Sequence, residues 1–157
     1  MLRADFDATM RAMRILAIDY GSQRIGLALS DPTGTLARPL PFVPAKADLK
    51  LAREIAGMAK KEEAHLILLG LPRNMDGSSG AAAAKVQAFA AILGQATPIR
   101  IQLIDERLST VQASRQLQES GKNTRQQRGR IDSEAAAVLL QGYLDSQTPF
   151  PLLPPDA

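Results

Sequence analysis

The 157-residue chain has no cysteine, no tryptophan and a single histidine, His65. Without thiols there is no disulfide framework, no thiolate metal site and no cysteine nucleophile. One imidazole excludes a histidine-built zinc site, and His65, between Ala64 and Leu66, reads as a helix-to-strand surface residue rather than the base of a serine hydrolase. Any metal chemistry must therefore use oxygen ligands. Aromatic residues are sparse, four Phe and two Tyr. None of them lies in the most basic stretch, so that stretch offers no base stacking. Long apolar runs are missing too. Leu66 to Leu69 is far short of the roughly 20 residues that span a bilayer, and the N-terminus has no contiguous signal-type apolar core. A cytoplasmic protein with no membrane partner is expected.

What is present fits one core. With 45% hydrophobic and 22% charged residues, the chain has the composition of an ordinary globular domain. The expected division is a flexible extension over 1–13, a single domain over 14–147 and a tail over 148–157 with four prolines. Met1, Met10 and Met13 are all admissible starts. The net charge of +3 favours a polyanionic partner only mildly. Its distribution says more: from Lys122 to Arg130 the chain carries four cations, Lys122, Arg125, Arg128 and Arg130, with no acid and no apolar residue. Such a stretch cannot bury itself and reads as a loop.

The segment Ile15 to Asp31 ends an apolar strand on a carboxylate, Asp19, and then turns at Gly21 into a second strand, Ile25 to Leu29. A carboxylate ending a core strand needs a metal, a hydrogen-bond network or a substrate, because burying it uncompensated is costly. The bland alternative is an Asx turn at Gly21. Leu36 to Val43, interrupted by Pro39 and Pro41, suits only a sheet edge. Asp48 is positioned to cap a helix with Leu51, Ile55 and Ala59 on its face. Leu66 to Gly70 reads as a buried parallel strand, followed by the loop 71–77. A helix capped at Ser78 or Ser79 then carries Val86, Phe89, Ala90 and Leu93 on one face and closes at Gly94. Pro98 to Ile104 is a further strand running into Asp105, Glu106 and Arg107. Ser109 with Gln112 forms a capping box for a helix ending at Gly121. Ile131, Ala135, Val138, Leu139 and Gly142 share a face of a last helix, with Asp132 in its first turn. This order predicts an α/β layer fold in which Asp19, the 71–77 loop and the Asp105-Glu106 pair meet at the C-terminal edge of parallel strands, where open α/β sheets bind ligands.

Four separated pieces then stand in a recognisable order: Ile18-Asp19-Tyr20-Gly21 with Arg24-Ile25-Gly26; Gly70-Leu71-Pro72 with Asn74, Asp76 and Gly77; Asp105-Glu106-Arg107-Leu108-Ser109-Thr110; and Ile131-Asp132-Ser133-Glu134-Ala135-Ala136. Together they resemble the YqgF family, Holliday junction resolvase-like and pre-16S rRNA nucleases of the ribonuclease H-like superfamily. The resemblance spans about residues 14 to 146. It implies a ribonuclease H-like mixed five-stranded sheet flanked by helices, and a metal-dependent nuclease whose acids are Asp19, Glu106 and Asp132. It also implies a structured nucleic-acid substrate, with the 5′ end of pre-16S rRNA in preference to a DNA junction.

The chemistry matches the residue types. Phosphodiester hydrolysis needs an activated water and neutralised transition-state charge, which two Mg²⁺ or Mn²⁺ ions about 4 Å apart supply when held by carboxylates. Strand alternation sets Asp105 and Glu106 on opposite faces without choosing between them; the family pattern selects Glu106. Asp132 has a bland reading as a helix-dipole carboxylate, against which the small surface of Ala135, Ala136 and Ala137 allows close approach to a sheet. The junction resolvases proper carry a further acid three residues after the helix acid, where this chain has Ala135. Arg24, Arg73, Asn74 and Arg107, with Lys122, Arg125, Arg128 and Arg130, are the expected contacts to nucleic acid, mostly to phosphate and so without sequence information. Each arginine has an ordinary alternative as an ion-pair partner or solvated residue. The rival functions are Holliday junction resolution, a sugar-kinase-like ATPase, for which the chain is too short, and a non-catalytic RNA-binding module. A monomer or weak homodimer is expected.

Overall fold

The computed structural model describes residues 14–72, 80–106 and 125–147, with the backbone alone over 125–132. Five strands are present: β1 (Arg14–Tyr20), β2 (Arg24–Ser30), β3 (Ala37–Pro44), β4 (Ala64–Leu71) and β5 (Arg100–Asp105). The described helices are α1 (Asp48–Lys61), α2 (Ala81–Ala96) and α3 (Arg125–Gln147). The strands form one mixed sheet in the order β3-β2-β1-β4-β5. The β1-β2 and β2-β3 pairs are antiparallel hairpins, whereas β1-β4 and β4-β5 are parallel.

Alternation along the central strands builds two cores. Leu16, Ile18, Ile67 and Leu69 face α1 and α2, packing with Leu51, Ile55, Val86, Phe89 and Leu93. Ala17, Ala28, Leu66 and Leu68 face the other way, onto Ala136, Leu140 and Leu144 of α3. Buried on both faces, β1 and β4 are apolar runs, as parallel central strands require. The proline-bearing β3 is an edge strand, as its composition predicts.

The direction of α3 follows from its bonds to that edge. Ser133 Oγ donates to the carbonyl of Leu40 at 2.6 Å. Two turns later Gln141 Oε1 accepts from the Ala37 N–H, and its Nε2 donates to the Thr35 carbonyl, both at 3.0 Å. Helix α3 therefore runs antiparallel to β3 and hence to β1. Its N-terminal half lies at the end of the sheet where β1, β4 and β5 finish.

Several boundaries differ from the sequence expectation. Ala47, not Asp48, is the N-cap of α1 and its methyl group makes no cap bond; the Asp48 carboxylate, in the first turn, accepts from Tyr20. Helix α2 begins after Gly80 and continues through Gly94 to Ala96, so Gly94 is a helix-interior residue, where a Cβ would meet Ile101 Cδ1 at 3.9 Å. The expected cap at Ser78 or Ser79 and the 109–121 helix lie outside the described residues. The stretch expected as a basic loop is already helical from Arg125, so Asp132 stands two turns into α3 rather than in its first turn. Arg and Gln are good helix formers, and a lone Gly129 weakens a helix by only about 1 kcal/mol. Among the described residues no helix is long and apolar enough to cross a membrane.

Candidate functional site

Asp19 is the penultimate residue of β1 and is 5% exposed. It shares alternation with Ala17, so it belongs to the α3 side of the sheet. The chain can turn immediately after Tyr20 because Gly21 has no side chain: a Cβ there would stand 2.3 Å from the Arg24 carbonyl oxygen.

Glu106, just past the end of β5, is also 5% exposed. It has the parity of Ile104, which packs on the α3 side, whereas Asp105 has the parity of Ile101, which packs against the α1-α2 core. Sheet pairing thus puts Glu106, and not Asp105, on the face that carries Asp19. The register places Ile18 beside Leu69 and Gly70 beside Ile104, so Asp19, Gly70 and the end of β5 form one row across the parallel strands. Gly70 is the device that lets the row close. A Cβ at this position would lie 2.8 Å from Glu106 Oε1, 3.3 Å from its Cγ and 3.2 Å from Leu139 Cδ2. The Glu106 side chain therefore lies across the bare backbone of β4, directed towards the strand that carries Asp19.

Asp132 precedes Ala135 and Ala136 on α3 by one helical turn, and those alanines are 3% and 0% exposed against the sheet. The helix direction brings this turn to the same rim; the Asp132 side chain itself is outside the description. Among the described side chains Asp19 and Glu106 are the buried acids at the rim, and no group of three metal-ligating residues occurs there. The donor chemistry fits a hard divalent cation: buried carboxylate oxygens at a place that a Cβ would fill.

Behind Asp19, the end of β1 is anchored from the opposite face. Tyr20 OH donates to Asp48 Oδ1 at 2.7 Å, and its ring lies 4.9 Å from that of Phe89. Burial, the hydrogen bond and the Asp48 charge together push the Tyr20 phenol up to about 12.

Of the residues expected to meet nucleic acid, Arg24 opens β2 with the parity of Gly26, the partner of Asp19, and so belongs to the same face and rim. Its guanidinium carbon lies 5.2 Å from the centroid of the Phe42 ring. Arg125, Arg128 and Arg130 fall in the first turns of α3, at the rim end of that helix. Arg73, Asn74, Asp76, Arg107 and Lys122 lie outside the described residues. His65 is exposed at the start of β4. It lines a groove of about 710 Å³ with Lys60, Glu63 and Thr97 at the opposite end of the sheet, away from the acids.

At the rim the sequence marks Gly70 as a strand end and motif residue but not as the space that Glu106 occupies, and it does not mark Phe42 at all. Gly70 carries a signal, a glycine closing an apolar strand; Phe42 carries none, because its orientation depends on an irregularity in the β2-β3 register between Ile25 and Leu27.

Residues 13–146 match the family model described as "RuvX: Holliday junction resolvase". A protein of Anaeromyxobacter sp. (strain Fw109-5) named "Putative pre-16S rRNA nuclease" is 47% identical over 135 residues, covering 86% of this chain and 98% of that one. A protein of the same name from Rhodococcus erythropolis is 44% identical over 151 residues, covering 93% and 85%. Among solved structures, Thermus thermophilus RuvC in complex with a Holliday junction superposes with a TM-score of 0.55 at 12% identity, covering 86% of this chain and 95% of that one. The last likeness is one of fold.

Proposed function

The chain belongs to the RuvX (YqgF) family, and on that premise we propose that it is a metal-dependent endonuclease acting on structured nucleic acid, with the 5′ end of pre-16S rRNA as its substrate. The observation that carries this reading is the approach of the buried Glu106 carboxylate across Gly70 towards the strand of Asp19. Two carboxylates at neighbouring places on one sheet face repel when both are ionised, and a divalent cation turns that repulsion into attraction. Asp19, Glu106 and Asp132 are the residues that would hold Mg²⁺ or Mn²⁺. When bound, such ions supply Lewis-acid stabilisation of phosphoryl charge and a nucleophilic water at neutral pH.

The protein's own part is positioning. Tyr20, held by Asp48 and Phe89, fixes the end of β1 and so the Asp19 backbone; Gly70 sets how far Glu106 reaches. Arg24 contributes a phosphate contact at the same rim, and the cations of α3, joined by Arg73, Asn74, Arg107 and Lys122, supply sequence-independent affinity for the phosphate backbone. This chemistry suits a rim open to an extended polymer rather than an enclosed pocket. The substrate implies the cytoplasm, and one acid set per chain cutting one strand is compatible with a monomer or weak homodimer. Ala135, where resolvases proper carry a fourth acid, favours the RNA reading over symmetrical junction cutting.

Asp19→Asn and Glu106→Gln should each abolish Mn²⁺-dependent cleavage of a precursor-rRNA fragment while largely preserving its binding. Wild-type cleavage by either variant refutes the metal site, and binding without any cleavage by the wild-type protein makes the chain a binding module instead.

A further inference from the structure

The register of the edge hairpin contains an irregularity beside the acids. Ile25 pairs with Val43 and Leu27 with Leu40, so the single residue Gly26 stands opposite both Pro41 and Phe42. This is a β-bulge, a device that re-aims side chains and is over-represented next to active sites. Its consequence is specific. Val43 and Leu40 both pack on the α1-α2 core although three residues apart, and Phe42 between them is turned to the other face. There it meets Arg24, and it remains 39% exposed, unusual for a phenylalanine in a chain with so few aromatics.

The position is set by the same row that holds the acids. Gly26 pairs with Asp19 on one side and faces the bulge on the other. Phe42 is therefore two strands from Asp19, about 10 Å at ordinary strand spacing, with only a glycine between. From the structure we infer that Phe42 and Arg24 form a nucleotide subsite next to the carboxylates: an unpaired base stacks on the exposed part of the Phe42 ring, and Arg24, steered by that ring, contacts the adjoining phosphate. Aromatic rings take any base, since every base has a π-face, and a guanidinium held over a ring keeps its donors in a defined plane. The occupant is a single-stranded nucleotide flanking the cut, because a stacked duplex base has no free face. The inference rests on the nuclease reading above and adds which part of the substrate must be unpaired.

The test is binding of the full chain, without divalent ions, to a labelled oligouridylate and to a ribose-phosphate chain of equal length lacking bases, over a range of salt. Phe42→Leu should weaken oligouridylate binding roughly 5- to 100-fold, leave the abasic chain unaffected and leave the salt dependence unchanged. Phe42→Trp should bind as tightly as wild type or tighter. Arg24→Gln should weaken both probes and reduce the salt slope by about 0.7. Equal binding of oligouridylate by Phe42→Leu and wild type, or an equal loss on the abasic chain, overturns the subsite; wild-type cleavage of precursor rRNA in the same preparations would show that the nuclease reading survives it. If the wild-type protein binds neither probe yet cleaves precursor rRNA, the subsite alone falls; if it neither binds the probes nor cleaves precursor rRNA, the subsite and the nuclease reading fall together.

Discussion

Replacing Gly70 by alanine separates the needs of the fold from those of the site. Gly70 is not among the residues with positive φ, so alanine is compatible with its backbone, and the lost unfolded-state freedom stabilises by about 0.4–1 kcal/mol. Against this, the new Cβ would stand 2.8 Å from Glu106 Oε1 and 3.2 Å from Leu139 Cδ2. Overpacking of this kind costs about 1–3 kcal/mol when neighbours cannot move. Here the closest atom is the end of a flexible side chain and Leu139 must yield by only a few tenths of an ångström, so the cost falls at the low end. The two effects nearly cancel, and global stability should change by no more than about 1 kcal/mol.

The carboxylate cannot escape so lightly. To restore ordinary contact it must retreat by roughly 0.6 Å or turn away, and misplacement of a reacting or ligating group by about 1 Å costs on the order of 100-fold. Gly70→Ala should thus lower kcat/KM for precursor-rRNA cleavage by about 10- to 100-fold and raise the Mn²⁺ concentration needed for half-maximal rate. Urea denaturation and a Mn²⁺ titration of cleavage on one preparation check both halves. In the double variant with Glu106→Ala the clash is gone, so a coupling of about 0.5–1 kcal/mol should appear in the stability cycle. Unchanged cleavage and unchanged Mn²⁺ dependence in Gly70→Ala would refute the idea that this glycine makes room for a ligating Glu106. A loss of activity that merely follows a loss of folded protein would refute it equally.

Other substitutions test the supports around the rim. Tyr20→Phe removes the bond to Asp48 and should cost about 1 kcal/mol in urea denaturation. The phenol is raised from 10.0 to about 12 in the folded chain. The unfolded state therefore loses its proton first, stability falls as pH climbs from 10 through 12, and a stability-pH profile of Tyr20→Phe should lack that decline. Glu63 sits just after the C-cap of α1 at φ 57°, a left-handed conformation that a non-glycine residue adopts at a cost. Glu63→Gly should stabilise the fold by up to about 1 kcal/mol, read as a higher thermal midpoint. Changing Arg125, Arg128 and Arg130 together to Gln should flatten the salt dependence of RNA binding by about 2–3 in log-log slope; an unchanged slope would show that the start of α3 makes no phosphate contacts.

The order of elements is written in local pattern: short apolar runs mark β1, β2 and β4, the prolines of β3 confine it to an edge, and the apolar spacing in α1 and α2 has the helical period. Helix ends were less legible, since a cap depends on what else competes for the capping group. Asp48 looks like a cap until Tyr20 is seen to engage its carboxylate. The start of α3 is not legible from apolar pattern, because a stretch without apolar residues reads as a loop although its Arg and Gln are good helix formers.

The acids show where sequence stops for a different reason. Asp19 is conspicuous alone, as a carboxylate directly after the buried apolar run Leu16 to Ile18. Alternation says that Asp105 and Glu106 face opposite ways, but which of them faces α3 is a property of the β4-β5 pairing, a contact between residues more than 30 apart in the chain. Phe42 extends the point. Simple alternation through Leu40, Pro41, Phe42 and Val43 would put Leu40 and Phe42 on one face and Val43 on the other, yet Leu40 and Val43 share the core. Only the extra residue opposite Gly26 reconciles them, and the residue it turns outwards is the one left beside Arg24. A bulge has no composition of its own, so an aromatic placed by one is legible only after the strands have been paired, and the same pairing is what gathers the carboxylates.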